Sequence, residues 1–123
     1  MTRFTARVLF WAWLLIIIAI VVPWGRFTDH SHWMRIDWSP FVNDPIRIRD
    51  IVANTLLYIP FGYLHRKLGA PAVRRTLVYA LALSGGTECT QVFSHGRFPS
   101  LADVVCNTVG AVGGYMWARR ASG

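Results

Sequence analysis

Four long apolar stretches, each ended by charge on one side, set the pattern of this chain. The first, Val8 to Val22, holds no charged residue in fifteen positions and extends through Phe4 and Trp24 to the roughly 20 residues that cross a bilayer. Arg3 and Arg7 give it the basic start of a signal peptide. No small-x-small cleavage site follows, so a retained signal-anchor helix is the expectation. The second stretch, Ile51 to Leu64, is short and interrupted by Asn54 and Pro60, and Arg66 and Lys67 close it sharply. The third runs from about Thr76 to Phe93 and the fourth from about Leu101 to Ala118. The predicted membrane helices cover residues 6–24, 48–65, 76–93 and 101–118 of a single domain spanning 1–123, with the motif-bearing part at 50–118.

Basic residues give the direction. Arg3 and Arg7, then Arg66, Lys67, Arg74 and Arg75, then Arg119 and Arg120 all flank the spans on one side. On the other side Arg26, Arg35, Arg47, Arg49 and Arg97 are offset by Asp29, Asp37, Asp44 and Asp50. The positive-inside rule therefore predicts an all-α, polytopic bundle of four transmembrane helices with both termini cytoplasmic. Because the alternation agrees at three places, it also supports the weak second span. The long outer loop, Arg26 to Asp50, carries Trp33, Trp38 and Phe41 and is expected to lie along the outer interface. Asp44-Pro45 reads as a helix start.

Composition agrees with that class. At 123 residues, 54% hydrophobic and only 15% charged, the chain is too apolar for an ordinary soluble domain. Its net charge of +7 comes from short basic groups between apolar runs. That is not the basic face interleaved with aromatics that nucleic-acid binding needs, so no nucleic-acid partner is expected. Cys89 and Cys106 read as small buried hydrophobes. No zinc spacing, phosphate loop or nucleotide fingerprint occurs, and neither metal nor cofactor is expected. His65 and His95 fall on opposite sides of the membrane, while His30 and His32 read as solvated loop residues.

The chemistry lies in the polar residues inside the apolar runs. Asn54 is a turn below the outer end of helix two. Glu88 and Gln91, at i and i+3, share a face of helix three, and Asp103 and Asn107, at i and i+4, share a face of helix four. Arg97 sits in the short outer hairpin between those helices. These six residues, Asn54, Glu88, Gln91, Arg97, Asp103 and Asn107, are predicted to converge on the outer third of the bundle, with Arg97 pairing Glu88 or Asp103. Each also has a structural reading. Asp103 follows Ser100 at capping-box spacing, and the amides serve equally well as interhelical hydrogen-bond donors. Glu88 is the sharpest, because a carboxylate inside a span costs about 2.5–3.5 kcal/mol on insertion scales and is a functional hypothesis by default. Gly85, Gly86, Gly110 and Gly114 are expected to let helices three and four pack as a close hairpin. Pro60 and Gly62 are expected to bend helix two.

The ordered set Asn54-Thr-Leu-Leu-Tyr-Ile-Pro60-Phe61-Gly62, Glu88-x-x-Gln91, Arg97, Asp103 with Asn107, and Gly110 resembles the VanZ-like family of small membrane proteins. The match runs from about Asp50 to Gly114. The resemblance implies an integral protein of the bacterial inner membrane, in a family whose name-giving member raises resistance to teicoplanin, a glycopeptide that binds cell-wall precursors outside the membrane. Three functions follow for comparison. The first is a non-enzymatic envelope protein whose outer cluster binds a lipid headgroup or lipid-linked cell-wall precursor, with Arg97 on the anionic group. The second is a structural or assembly subunit in which the cluster only locks helices. The third is a membrane enzyme using Glu88 and Asp103 as acid and base, which no nucleophile–base pair or metal set supports.

Overall fold

The computed structural model describes residues 1–38, 45–94 and 99–123. Among them the chain is all-α, with four helices: α1 (Arg3–Val21), α2 (Pro45–Lys67), α3 (Val73–Gln91) and α4 (Leu101–Ala121). No β-strand occurs among the described residues. The only strand-like features there are isolated bridges, Phe27 with Ser94 and Asp37 with Ser100.

The helix ends follow local chemistry. The Thr2 hydroxyl caps α1 by accepting from the Thr5 N–H at 3.1 Å, and Pro23 follows two residues after the helix ends. Pro45 opens α2, where its missing N–H is not needed. The same helix closes in a Schellman arrangement. Gly69, at φ 96°, donates to the Arg66 carbonyl, and Ala70 donates to that of His65. α2 continues unbroken through Pro60. Proline removes a backbone donor and crowds the preceding turn; in that turn the Leu57 carbonyl accepts the Trp13 indole N–H of α1 at 2.8 Å.

Successive helices alternate in direction. α1 and α2 are antiparallel, with Trp13 bonded to Leu57 and Phe10 against Phe61. α2 and α3 meet through His65 and Thr76, and α3 and α4 through Ser84 and Asn107. α2 and α4 run parallel and make the most extensive helix–helix contact. Here the glycines matter. A Cβ on Gly62 would stand 1.7 Å from the Ala111 carbonyl oxygen, one on Gly110 2.4 Å from that of Thr55, and one on Gly114 1.9 Å from that of Ile59. The close glycine contact thus joins α4 to α2, not to α3 as expected. Gly85 and Gly86 take no part in it, since a Cβ on either would meet nothing within 4 Å.

On α3, and in part on α4, the burial pattern is inverted relative to a water-soluble bundle. The buried face of α3 is Thr76, Ala80, Ser84, Thr87, Glu88 and Gln91. Its outward face includes Leu77, Val78, Tyr79 and Leu81. α4 likewise buries Asn107, Thr108, Gly110 and Gly114 while exposing Val105, Val109 and Trp117. A core of Phe10, Ile17, Val21, Tyr58, Phe61, Leu64, Ala80 and Ala111 fills the centre. By length and composition, α1 is the one helix among the described residues apolar enough to cross a membrane. Cys89, expected to be buried, faces outward.

Candidate functional site

The i, i+3, i+4, i+7 spacing of Ser84, Thr87, Glu88 and Gln91 puts four polar side chains on one buried stripe of α3. Each meets a different partner. The Glu88 carboxylate, 6% exposed, accepts the Ser100 backbone N–H at 2.8 Å. Ser100 is the N-cap of α4, so Glu88 satisfies a donor that the helix itself leaves open. In a capping box the carboxylate three residues into the helix takes this bond. Here a carboxylate from α3 takes it, while the Ser100 side chain makes no capping bond. The capping-box spacing, the structural alternative for Asp103, is thus not what satisfies the Ser100 N–H; Asp103 lies half-buried in the first turn of α4.

Gln91, 3% exposed, donates through Nε2 to the Val21 carbonyl at 3.3 Å, tying the C-terminal end of α3 to that of α1. Asn107, 1% exposed, donates through Nδ2 to Ser84 Oγ at 3.1 Å, while its Oδ1 has no hydrogen-bond partner among the described residues. The Tyr58 hydroxyl comes up from α2 to Ser84 and Thr87, close enough to interact with both but in hydrogen-bond geometry with neither. The cluster therefore draws side chains from α2, α3 and α4, and Gln91 ties it to the end of α1. Of the six predicted members, Glu88, Gln91, Asp103 and Asn107 fall on facing stretches of α3 and α4. Asn54 is half-buried on α2, and among the described residues no hydrogen bond joins it to the others. Arg97, like His95, Phe41 and Asp44, lies outside the described residues.

Ser84, Tyr58 and the Ser100 backbone were missed in the sequence. Ser84 sits four residues before Glu88 and Tyr58 four after Asn54, so helical spacing from predicted members could have found them. The N–H of Ser100 leaves no side-chain signal.

The segment between α1 and α2 is built into the site. Thr28 N–H donates to the Phe93 carbonyl at 2.6 Å and His32 N–H to that of Val92 at 2.8 Å. Asp37 donates to the Pro99 carbonyl and accepts the Leu101 N–H, both at 2.9 Å. The Asp37 carboxylate also holds Arg47 in the first turn of α2. The segment thus grips both sides of the Glu88–Ser100 bond. His32 is not simply solvated, since it is half-buried with Nδ1 3.1 Å from the Val92 carbonyl oxygen.

This is a small all-α protein in which buried polar side chains of α3 and α4 and the glycines between α2 and α4 adjoin an apolar core. It belongs to the VanZ/LLP1 family, whose model matches residues 4–121. The match takes in α1 and the segment between α1 and α2 as well as the motif-bearing part. No curated protein and no solved structure matches the chain.

Proposed function

We propose that this chain is a multi-pass protein of the bacterial inner membrane, with four spans and both termini cytoplasmic, and that it acts without catalysis. In this reading its outer polar cluster binds the anionic headgroup of a lipid or lipid-linked cell-wall precursor and so influences susceptibility to glycopeptides such as teicoplanin. The observation that carries it is the inversion on α3, where Ser84, Thr87, Glu88 and Gln91 are buried and Leu77, Val78 and Leu81 are exposed. In water that arrangement would leave apolar surface unprotected and desolvate a carboxylate. In a bilayer it puts the apolar side chains against lipid and keeps the polar ones inside the bundle, out of the hydrocarbon. Alternating helix directions and the one-sided basic residues support the four-span orientation. Arg97 is the proposed anion contact, because guanidinium meets phosphate or carboxylate with two parallel hydrogen bonds.

A second reading, that the cluster only locks helices, is favoured by the bonds from Glu88 to Ser100, Gln91 to Val21 and Asn107 to Ser84, which join separate segments. Substituting Glu88→Gln and Arg97→Lys separates the two. Lipid extracts of the purified variants are read by mass spectrometry beside their membrane abundance and the teicoplanin sensitivity of the cells. Normal abundance with loss of a co-purifying anionic lipid supports binding. Loss of abundance in both variants, with unchanged lipid content per molecule, supports the locking role and refutes binding.

A further inference from the structure

Away from the polar cluster, a half-open cavity of about 260 Å³ lies at the end of α1, lined by Ala19, Ile20, Val22, Pro23, Trp24 and Arg26. Its shape comes from a tight turn. Arg26 N–H donates to the Pro23 carbonyl at 3.1 Å, and Gly25 takes φ 71°, a conformation that glycine adopts without strain. The turn folds the chain back over the last helical residues. Trp24 is fixed across it, its indole N–H donating to the Ile18 carbonyl at 3.2 Å and its ring edge-on to Phe27. The cavity is therefore lined by four aliphatic residues with their backbone groups, by Trp24 and by Arg26, the one charged residue of the lining. That guanidinium is exposed and makes no hydrogen bond or ion pair among the described residues. The nearest carboxylate in sequence, Asp29, is engaged by His30 Nδ1 at 2.8 Å.

We propose that this crevice binds the phosphate headgroup of an anionic phospholipid of the outer leaflet. The inference rests on the membrane orientation proposed above, which puts the end of α1 at the outer interface. Tryptophan is favoured at that depth, and arginine there meets lipid phosphate. The volume falls just under the roughly 300–1,000 Å³ typical of small-molecule sites, so it suits a headgroup with its chains running down the outward side of α1. That side is prepared for them, since Ile20 in the lining and Ile16 one helical turn before it are both exposed. With no carboxylate bound to Arg26, the site favours a lipid with net negative charge over a zwitterionic one, whose own ammonium neutralises the phosphate.

The full chain in detergent, offered equal amounts of dioleoylphosphatidylglycerol and dioleoylphosphatidylcholine, is read by native mass spectrometry. The wild type should retain phosphatidylglycerol preferentially. Arg26→Gln should lower that bound fraction by about tenfold, the loss expected for one charge-assisted contact. Arg26→Lys should fall between, keeping charge without the fork. Arg49→Gln removes an exposed charge from the outer end of α2 and should leave retention unchanged. Equal loss in Arg26→Gln and Arg49→Gln would mean attraction by net charge and no site, and no loss in Arg26→Gln would overturn the proposal outright. Displacement by excess inorganic phosphate would reassign the crevice to a free anion. Carbonate extraction of membranes tests the underlying orientation separately, because release of the wild-type chain would refute the membrane reading whatever the lipid counts.

Discussion

Replacing Gly62 with Ala probes the α2–α4 contact with one carbon atom. The added Cβ would stand 1.7 Å from the Ala111 carbonyl oxygen and 2.6 Å from its carbon. Both are backbone atoms of a helix, so no side chain can swing aside. To restore ordinary contact near 3.5 Å the two helices must part locally by roughly 1.8 Å. A gap of 0.5–1 Å already forfeits about a quarter to a half of each dispersion contact beside it. Overpacking usually costs about 1–3 kcal/mol, and a rigid backbone partner places this site at the upper end. A loss of about 3 kcal/mol lowers the folded-to-unfolded ratio by roughly two orders of magnitude. Gly114→Ala meets the Ile59 carbonyl oxygen at 1.9 Å and should behave alike. Gly86→Ala is the control, since its Cβ meets nothing within 4 Å. In a helix interior it should be neutral or stabilising by about 0.5–1 kcal/mol. Reversible unfolding in mixed micelles measures all three. If Gly62→Ala and Gly86→Ala shift stability in the same direction by similar amounts, the α2–α4 interlock is wrong.

Removing the Glu88 side chain with Ala leaves the buried Ser100 N–H without its acceptor, which should cost about 1–3 kcal/mol and fray the start of α4, seen as loss of amide protection at residues 100–104. Glu88→Gln retains a carbonyl oxygen and should lose less; equal losses would refute the capping role. Orientation is tested with single cysteines at Met34, 98% exposed, and at Pro71 between α2 and α3. In a background lacking Cys89 and Cys106, an impermeant thiol reagent should label intact cells at position 34 and not at 71, and the reverse result would invert the topology.

Much of the architecture was legible because helix ends and charge are written locally. Arg66-Lys67 and Gly69 mark the close of α2, and the predicted spans 48–65 and 101–118 fall inside α2 and α4. Helix partners were harder to read. Gly110 and Gly114 announce close approach, but spacing along one helix does not name the helix across from it. The α3–α4 hairpin looked natural because only a short connection joins the two, whereas the glycines of α4 face the turn of α2 that carries Gly62. The role of Glu88 was half-legible. Its place inside an apolar run identified a carboxylate that needs a partner, but the Ser100 backbone N–H is invisible in side-chain chemistry. The contacts of the α1–α2 segment with residues 92–101 gave no sequence signal because they are made almost wholly by backbone groups.

The two kinds of contact imply different mobility for the helices. α2 and α4 interlock backbone against backbone, and opening them breaks many dispersion contacts at once. α3 touches α2 much less. It packs on α4 less extensively than α2 does, and its further ties are single bonds: His65 to Thr76 at 2.8 Å, Asn107 to Ser84 at 3.1 Å, Ser100 to Glu88 at 2.8 Å and Gln91 to Val21 at 3.3 Å. Each such bond contributes only about 0.5–1.5 kcal/mol net, and polar partners in a membrane interior average about 0.6. Movement that uncovers Glu88 should therefore be movement of α3, with the α2–α4 pair as the fixed frame. Hydrogen exchange on the protein in micelles reads this directly. Backbone amides between Ala80 and Gln91 should exchange well before those between Thr55 and Tyr63 or between Asn107 and Tyr115, through sub-global openings of lower free energy. Exchange of all three stretches at one common rate would mean that the bundle opens only as a unit, and that α3 is no more separable than the helices it faces.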